Sequence, residues 1–355
     1  MNFMKNFYNM KLGIVDLAES SVEIVPLNAE MISEKIGGAA VNRELFEKYG
    51  DTDSLILGVG PLTGSYAPAS CLLVATFRSP VTGSFSHVPF MHRSGPEMKF
   101  SGFDFMVINR AASRPVVLNI TEGTVTLLPA DHIVECEIPE IIRSIKQKVH
   151  HVRAAIVTGP AADNGSPFAS VSVGLWGSLD KTGLASVLGT KNVKGIVFNG
   201  IDGLAFGAED IAKSDEMIKT CGLYGPSREN GFVSVLEKLG LDDEVKTMLY
   251  KVRAKNIACY RCPFPCMNHI EFTEKASEHM SVNLSQRGLN LMDHVGFLTL
   301  ARKYKEEVFE LMSSCIRLGI DPVVVSAMLP NGGTMNDRIE MIKRISAGSV
   351  EGGLK

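Results

Sequence analysis

Gly58-Val-Gly60-Pro-Leu-Thr-Gly64, then Ala67-Pro68, Leu72-Leu-Val-Ala-Thr-Phe77 and Ser79-Pro-Val-Thr-Gly83 form the stretch that decides the fold. Glycine and proline mark turns on both sides of a short apolar run rich in strand-forming residues, which predicts a strand between them. Toward the N-terminus, residues 12 to 27 carry Ile14, Val15, Val22, Ile24 and Val25 on either side of Glu19-Ser20-Ser21, the pattern of two strands joined by a turn. Toward the C-terminus, Phe105 to Asn109, Val116 to Ile120, Ala154 to Thr158 and Val193 to Phe198 read as further strands. Pro139 to Val149 spaces its apolar residues as a helix does. From about Asp210 the period changes. Met217, Val233 to Leu239, Glu244 to Val252 and Leu298 to Leu318 place apolar residues three and four apart, so this half is read as mainly helical. The fold class is therefore α+β, a β-rich unit over 1–205 and a helical unit over 206–355, with the boundary in Gly200 to Gly207.

The chain has 355 residues and 45% hydrophobic content, enough for two cores. A net charge of -3 and a pI near 6.3 supply no basic stripe, which argues against nucleic acid as a partner. The longest apolar runs, Leu55 to Val59 and Cys71 to Thr76, are far too short to span a bilayer. The N-terminal residues lack the apolar stretch of a signal peptide, so the expected location is the cytoplasm. Seven cysteines, an odd number, fit reduced thiols better than a disulfide framework.

Three of those thiols lie within eight residues, in Cys259-Tyr-Arg-Cys262-Pro-Phe-Pro-Cys266. Spacing by two and then three residues suits iron-sulfur or zinc, because a short proline-bearing turn aims several soft thiolates at one place. The fourth ligand is open among solvent, a partner chain, Cys315 and His269, which would complete a three-thiolate, one-imidazole zinc set. Cys71, Cys136 and Cys221 are read as small buried hydrophobes. His87 and His92 are read as polar residues of a sheet surface. The glycines of Gly183 to Gly189 lack the Gly-Lys-Ser or Gly-Lys-Thr ending of a nucleotide loop, which excludes an NTPase, and Lys191 is expected to be a solvated surface lysine. No Ser-His-Asp triad can be argued from the order of these residues.

Four collinear blocks carry a resemblance: Gly60-Pro-Leu-Thr-Gly64 with Ala67-Pro68 and Ser79-Pro-Val-Thr-Gly83; Lys99-Phe-Ser-Gly-Phe-Asp104; Gly189-Thr-Lys-Asn-Val-Lys-Gly195; and the cysteine turn. Over residues 10 to 320 the chain resembles the aldehyde ferredoxin oxidoreductase family of tungsten-pterin enzymes. The resemblance implies a β-rich domain forming the base for a tungsten-bis-pterin cofactor, and helical domains closing over it. It also implies a 4Fe-4S cluster on Cys259, Cys262 and Cys266, passing electrons to ferredoxin.

Residue by residue, the resemblance is uneven. Where the family carries an arginine near the pterin phosphates, this chain has Leu72. Where it runs Asn-Ser-Gly-Gly, the register gives Pro89-Phe90-Met91-His92, with Phe90 and Met91 read as core filling the vacated pterin space. Its Gly-Arg-Gly-Gly corresponds to Asp180-Lys181-Thr182-Gly183, and its Asp-x-x-Gly-Leu-Asp pterin motif to Ile316-Arg317-Leu318-Gly319-Ile320-Asp321. Lys181, Gly183 and Asp321 are the cofactor-binding residues retained. A family glutamate near the metal falls at Asn283, and Asp293-His-Val-Gly296 reads as a displaced copy of the pterin motif. The family continues beyond the position of Lys355, where it supplies a second pterin motif, a histidine and a fourth cluster cysteine. Two functions follow. The first is a 4Fe-4S electron-transfer component that needs a partner chain, a homologous catalytic subunit or ferredoxin, for aldehyde oxidation. The second is a non-catalytic scaffold that has lost the tungstopterin site. On either reading no catalytic residue is assigned, the chain is not an autonomous enzyme, and tungsten-pterin is not expected in this chain alone.

Overall fold

The computed structural model describes residues 7–177, 180–201, 208–220, 224–251, 253–271 and 288–350. The expected boundary region, Asn283 and Cys221 fall wholly or largely outside the described residues. The fold is α+β, as the alternation of residue patterns predicts.

Two six-stranded sheets build the first half. In the first sheet β1 (Lys11–Asp16), β2 (Ser21–Pro26), β3 (Leu55–Val59), β4 (Leu73–Arg78), β5 (Phe85–Phe90) and β6 (Phe105–Asn109) run in the order β2-β1-β6-β3-β4-β5, all antiparallel except β1 beside β6. The second sheet contains β7 (Val116–Thr121), β8 (Thr124–Pro129), β9 (Ala154–Thr158), β10 (Val171–Val173), β11 (Trp176–Gly177) and β12 (Val193–Asn199), in the order β11-β10-β9-β12-β7-β8. Its inner strands β9 and β12 are buried along their whole length, which explains their largely apolar sequences, the buried Lys194 of β12 being paired. Pro89 lies on edge strand β5, where its missing N–H costs no ladder bond.

Three buried lysines of the sequence blocks tie loops together, which is why those blocks occur as sets. Lys99, almost fully buried, donates to the carbonyls of Gly60 (3.2 Å), Pro61 (2.8 Å) and Thr63 (3.1 Å), so one block binds the main chain of another. Lys194 pairs with Asp163 at 2.6 Å in the interior. Lys191 is also buried and donates to the Arg110 carbonyl at 2.8 Å, which corrects the expectation of a solvated surface lysine.

In the second half, the helical reading is incomplete. A three-stranded antiparallel sheet, β13 (Arg253–Ile257), β14 (Met267–Glu271) and β15 (Gly288–Leu291), surrounds the cysteine turn, which connects β13 to β14. The span from Leu298 to Leu318 is two helices, His294–Tyr304 and Val308–Leu318, broken at Lys305, whose φ is 41°. In the first half, helices Ala29–Lys35 and Gly38–Tyr49 join the strands, the first capped by the Asn28 side chain on the N–H groups of Glu30 and Met31. One core cluster runs from Leu12 through Phe105 and Ile196 to Phe297 and Ile345, so both halves share an interior. A smaller cluster sits between helix Ile138–Lys148 and the second sheet.

Candidate functional site

The cysteine turn is held against loops of the first sheet by main-chain bonds. Tyr260 N donates to the His92 carbonyl at 2.8 Å, and Ala69 N donates to the Arg261 carbonyl at 3.0 Å. The Tyr260 hydroxyl reaches the Gly64 carbonyl at 3.2 Å, and the Arg261 guanidinium lies 4.3 Å from the centre of the Tyr66 ring. Within the turn, Cys262 N bonds the Cys259 carbonyl (3.0 Å), and Cys266 N bonds the Phe264 carbonyl (2.9 Å). His294 Nε2 meets the Cys266 carbonyl at 2.8 Å.

A further thiol lies beside the turn. Cys71, just before β4, is buried, and its thiol shares a hydrogen bond with that of Cys259. Cys71 also feels the charge of Cys262, and Cys266 those of Cys259 and Cys262. That bond holds the proton on Cys71, raising its pKa strongly with help from burial, and lowers Cys259 to about 7. Burial, followed by the charges of Cys259 and Cys262, pushes Cys266 up to about 11. Among the described residues no group of three or more Cys, His, Asp or Glu side chains is placed to hold a metal ion.

Two earlier candidates for the fourth ligand point elsewhere. His269 lies on β14 with Nδ1 2.6 Å from Asn290 Oδ1. Cys315 is fully buried within helix Val308–Leu318, where burial and the Asp321 charge raise its pKa and the Lys181 charge opposes them. The sequence reading of Cys71 as an inert hydrophobe noted its burial but had no means of finding its partner.

The retained pterin-type residues form a second constellation. Lys181 Nζ bridges Asp321 Oδ1 at 2.6 Å and Asp293 Oδ2 at 2.8 Å. Burial pulls the Lys181 pKa down, but the two aspartate charges outweigh it and hold it above its ordinary value. Each aspartate also starts a helix: Asp293 accepts from Gly296 N and Asp321 from Val323 N, both at 2.8 Å. Asp293, from the displaced motif, thus joins Asp321. Gly183 is elsewhere in purpose, since with φ 89° an added Cβ would come within 2.8 Å of the Pro80 ring. Beside the aspartates, the space among Cys315, Ile316, Gly319 and Pro322 amounts to about 10 Å³, room for one water at most.

The positions that differ from the family pattern also have clear surroundings. Leu72 is 44% exposed, an apolar side chain where an arginine would offer a fork of donors. Phe90 is buried in the core and Met91 packs against it from a half-buried position. His92 has φ 64°, a backbone that favours glycine, and its ring lies 5.9 Å from that of Trp176. His87 accepts or donates a 2.9 Å bond with Thr76 on the sheet. Asp321 is thus engaged by Lys181, and the space beside Ile316 is closed.

The chain is an α+β protein of two six-stranded sheets, with a cysteine turn docked on the loops of the first. Residues 12–200 match the family described as aldehyde ferredoxin oxidoreductase, N-terminal domain, and the chain belongs to that family. The tungsten-containing aldehyde ferredoxin oxidoreductase of Pyrococcus furiosus is 24% identical over 93% of this chain and 58% of its own length. That of Pyrococcus horikoshii is 25% identical over 72% of this chain and 48% of its own. The aliphatic sulfonate oxidoreductase, WOR-like subunit, of Pyrococcus furiosus is 27% identical over 54% of this chain. A solved structure, the active site complex BamBC of benzoyl coenzyme A reductase with 1,5-dienoyl-CoA, shares the fold with a TM-score of 0.78. It is 19% identical and covers 97% of this chain and 61% of that one. The chain spans about half the length of the curated relatives it matches. Among the described residues no helix is long and apolar enough to cross a membrane.

Proposed function

We propose that the chain is an iron-sulfur electron-transfer component of this oxidoreductase family, holding a 4Fe-4S cluster through Cys259, Cys262 and Cys266. It works in the cytoplasm beside a partner, a homologous catalytic subunit or ferredoxin, that takes up or delivers electrons. The observation that carries the reading is the docked cysteine turn, with Cys259 buried and Cys262 and Cys266 half-buried, tied to the loops of the first sheet by main-chain bonds. The cluster would supply one-electron transfer, and this chain's part is to hold it rigidly and keep it from water. Relatives described as a subunit and as a complex support a role beside another chain.

Aldehyde oxidation by this chain alone is not part of the proposal. The Lys181 bridge and the closed space beside Ile316 support a site that has given up the pterin. They equally favour a second reading, a scaffold that keeps the fold and binds a partner without redox work. The units 1–205 and 206–355 then act as base and cover. Metal and sulfide analysis of anaerobically purified protein, with an electron paramagnetic resonance spectrum after dithionite, separates the two. About four irons and four sulfides per chain with a reduced-cluster signal, and no stoichiometric tungsten or molybdenum, is the expected result. An iron-free chain would leave the scaffold.

A further inference from the structure

We propose that the cavity at the carboxyl ends of β7 and β12 binds a small organic anion, a carboxylate or phosphate that also carries a hydroxyl or N–H donor. Helix Ile138–Lys148 covers one face of the second sheet, where Val117, Ala155, Val157 and Val197 pack against it. The helix stops before the sheet does. Beyond its end the same alternating positions turn polar, to Asn119 and Thr121 on β7, Asn199 on β12 and Arg153 just before β9. Together with residues 148–151 they line a cavity of about 580 Å³. Its place beyond the carboxyl ends of two parallel strands is one at which sheets commonly present ligands.

Asn199 is 7% exposed; its Nδ2 donates to Asn119 Oδ1 at 3.2 Å, and Thr121 Oγ1 donates to its carbonyl at 3.2 Å. Its Oδ1 is buried and accepts no hydrogen bond among the described residues. A buried amide oxygen without a donor is costly, and a hydroxyl or N–H of a ligand would supply the missing bond. Around it stand His150, His151 and Arg153, whose side chains make no hydrogen bond or ion pair among the described residues. Lys148 is differently employed: it meets His132 Nδ1 at 3.4 Å and sits at the helix C-terminus, whose carbonyls favour a cation. The anion's partners are therefore Arg153, with a fork of donors suited to carboxylate or phosphate, and the two imidazoles. One carboxylate, Glu122, also lines the cavity and is outweighed by Lys148 and Arg153. The sequence has the same bias, since no acidic residue occurs between Glu140 and Asp163 in a chain of net charge -3. Leu128 and Val149 offer an apolar wall to the ligand's carbon body. None of these residues belongs to the cysteine turn or the Lys181 bridge, so the site is independent of the iron-sulfur reading.

The test is isothermal titration calorimetry of the full chain with citrate and with glycerol 3-phosphate, at fixed ionic strength and with glycerol as the uncharged control. Saturable binding of at least one of the two anions, and none of glycerol, is the expected result. Arg153→Ala should weaken it by about tenfold or more. His151→Gly should weaken it severalfold, and glycine suits the φ of 58° at that position. Lys146→Ala, which removes an exposed cation of the same helix outside the cavity, should leave it unchanged. A comparison on wild type alone guards against variants that do not fold: tricarballylate and propyl phosphate, which lack the hydroxyls, should bind more weakly than citrate and glycerol 3-phosphate. Equal affinity within each pair overturns the donor assigned to Asn199. No saturable binding of either anion at millimolar concentration overturns the site, and so does a loss in folded Lys146→Ala as large as that in Arg153→Ala, which would mark diffuse attraction to the helix.

Discussion

At the scale of single residues, buried charge decides what this chain does with the groups it retains from its family. Lys181 is held between two aspartates whose side chains are 2% and 11% exposed. Removing the lysine leaves both carboxylates facing each other away from water, so Lys181→Met is expected to destabilise the fold by about 3–5 kcal/mol in urea unfolding. Adding Asp293→Asn and Asp321→Asn should return most of that loss, because asparagine caps a helix as well as aspartate does and carries no charge. If the triple variant is no more stable than Lys181→Met, the trio is not coupled as described. Asp104 provides the pH-dependent counterpart. Burial raises its carboxyl from 3.8 to about 6, against the N–H groups of Asn9 and Lys11 and the Lys99 charge that oppose the shift. Between those values the folded chain keeps a proton that the unfolded chain has released. Stability from this group is therefore fully present below pH 4 and is lost as pH rises through 6, a change of about 3 kcal/mol. Relative to Asp104→Asn, wild type should be at its most stable near pH 4 and fall behind by that amount near pH 7, and a difference that stays flat across this range would contradict the assignment.

At the scale of elements, the parts that sequence reveals are those whose neighbours are close along the chain. The β1–β2 pair was legible because its alternation and its turn lie within residues 12 to 27 and one face is buried. Helix Asp243–Lys251 matched its apolar spacing for the same reason. The break at Lys305 was not legible, since Leu298 to Leu318 keeps its apolar period across a residue that turns the backbone to φ 41°. The β13–β15 sheet escaped because its strands are short and their partners lie beyond the cysteine turn. Cys259, Cys262 and Cys266 stand together by spacing alone, whereas Cys71 sits in a strand-like run and comes beside Cys259 only through the packing of distant loops. The support for that pairing can be tested at helix Ser94–Phe100. Gly95 has no room for a Cβ, which would come within 2.3 Å of the Leu72 carbonyl oxygen. Gly95→Ala must push the 71–72 backbone away, with an expected loss of about 2 kcal/mol in urea unfolding. Unchanged stability would mean that the helix does not rest on that backbone.

At the scale of the whole molecule, the two sequence textures meet in one core. The second half returns to the first through the retained motif itself. Ser170 N donates to the Gly319 carbonyl at 2.7 Å, Asp321 N to the Phe168 carbonyl at 3.0 Å, and Ala169 and Ile320 form a bridge between them. Ser166 Oγ reaches the Ile345 carbonyl at 2.9 Å, and Arg317 pairs with Glu137. Trp176, the single tryptophan, stands beside His92 of the first sheet's loop, and its neighbour Leu175 accepts a bond from Asn290 on β15. Gly159 marks the tightest point of this seam, because an added Cβ would lie 2.6 Å from the Leu318 carbonyl oxygen, while its own φ of -91° suits any residue. Gly159→Ala is thus a steric probe of the seam without backbone strain. It is expected to cost about 2 kcal/mol, and tryptophan fluorescence and far-ultraviolet circular dichroism should shift together to lower denaturant, since one core serves both halves. If the dichroism shifts and the fluorescence does not, the halves unfold separately, and the cysteine turn of one cannot rely on the loops of the other to keep its ligands in place.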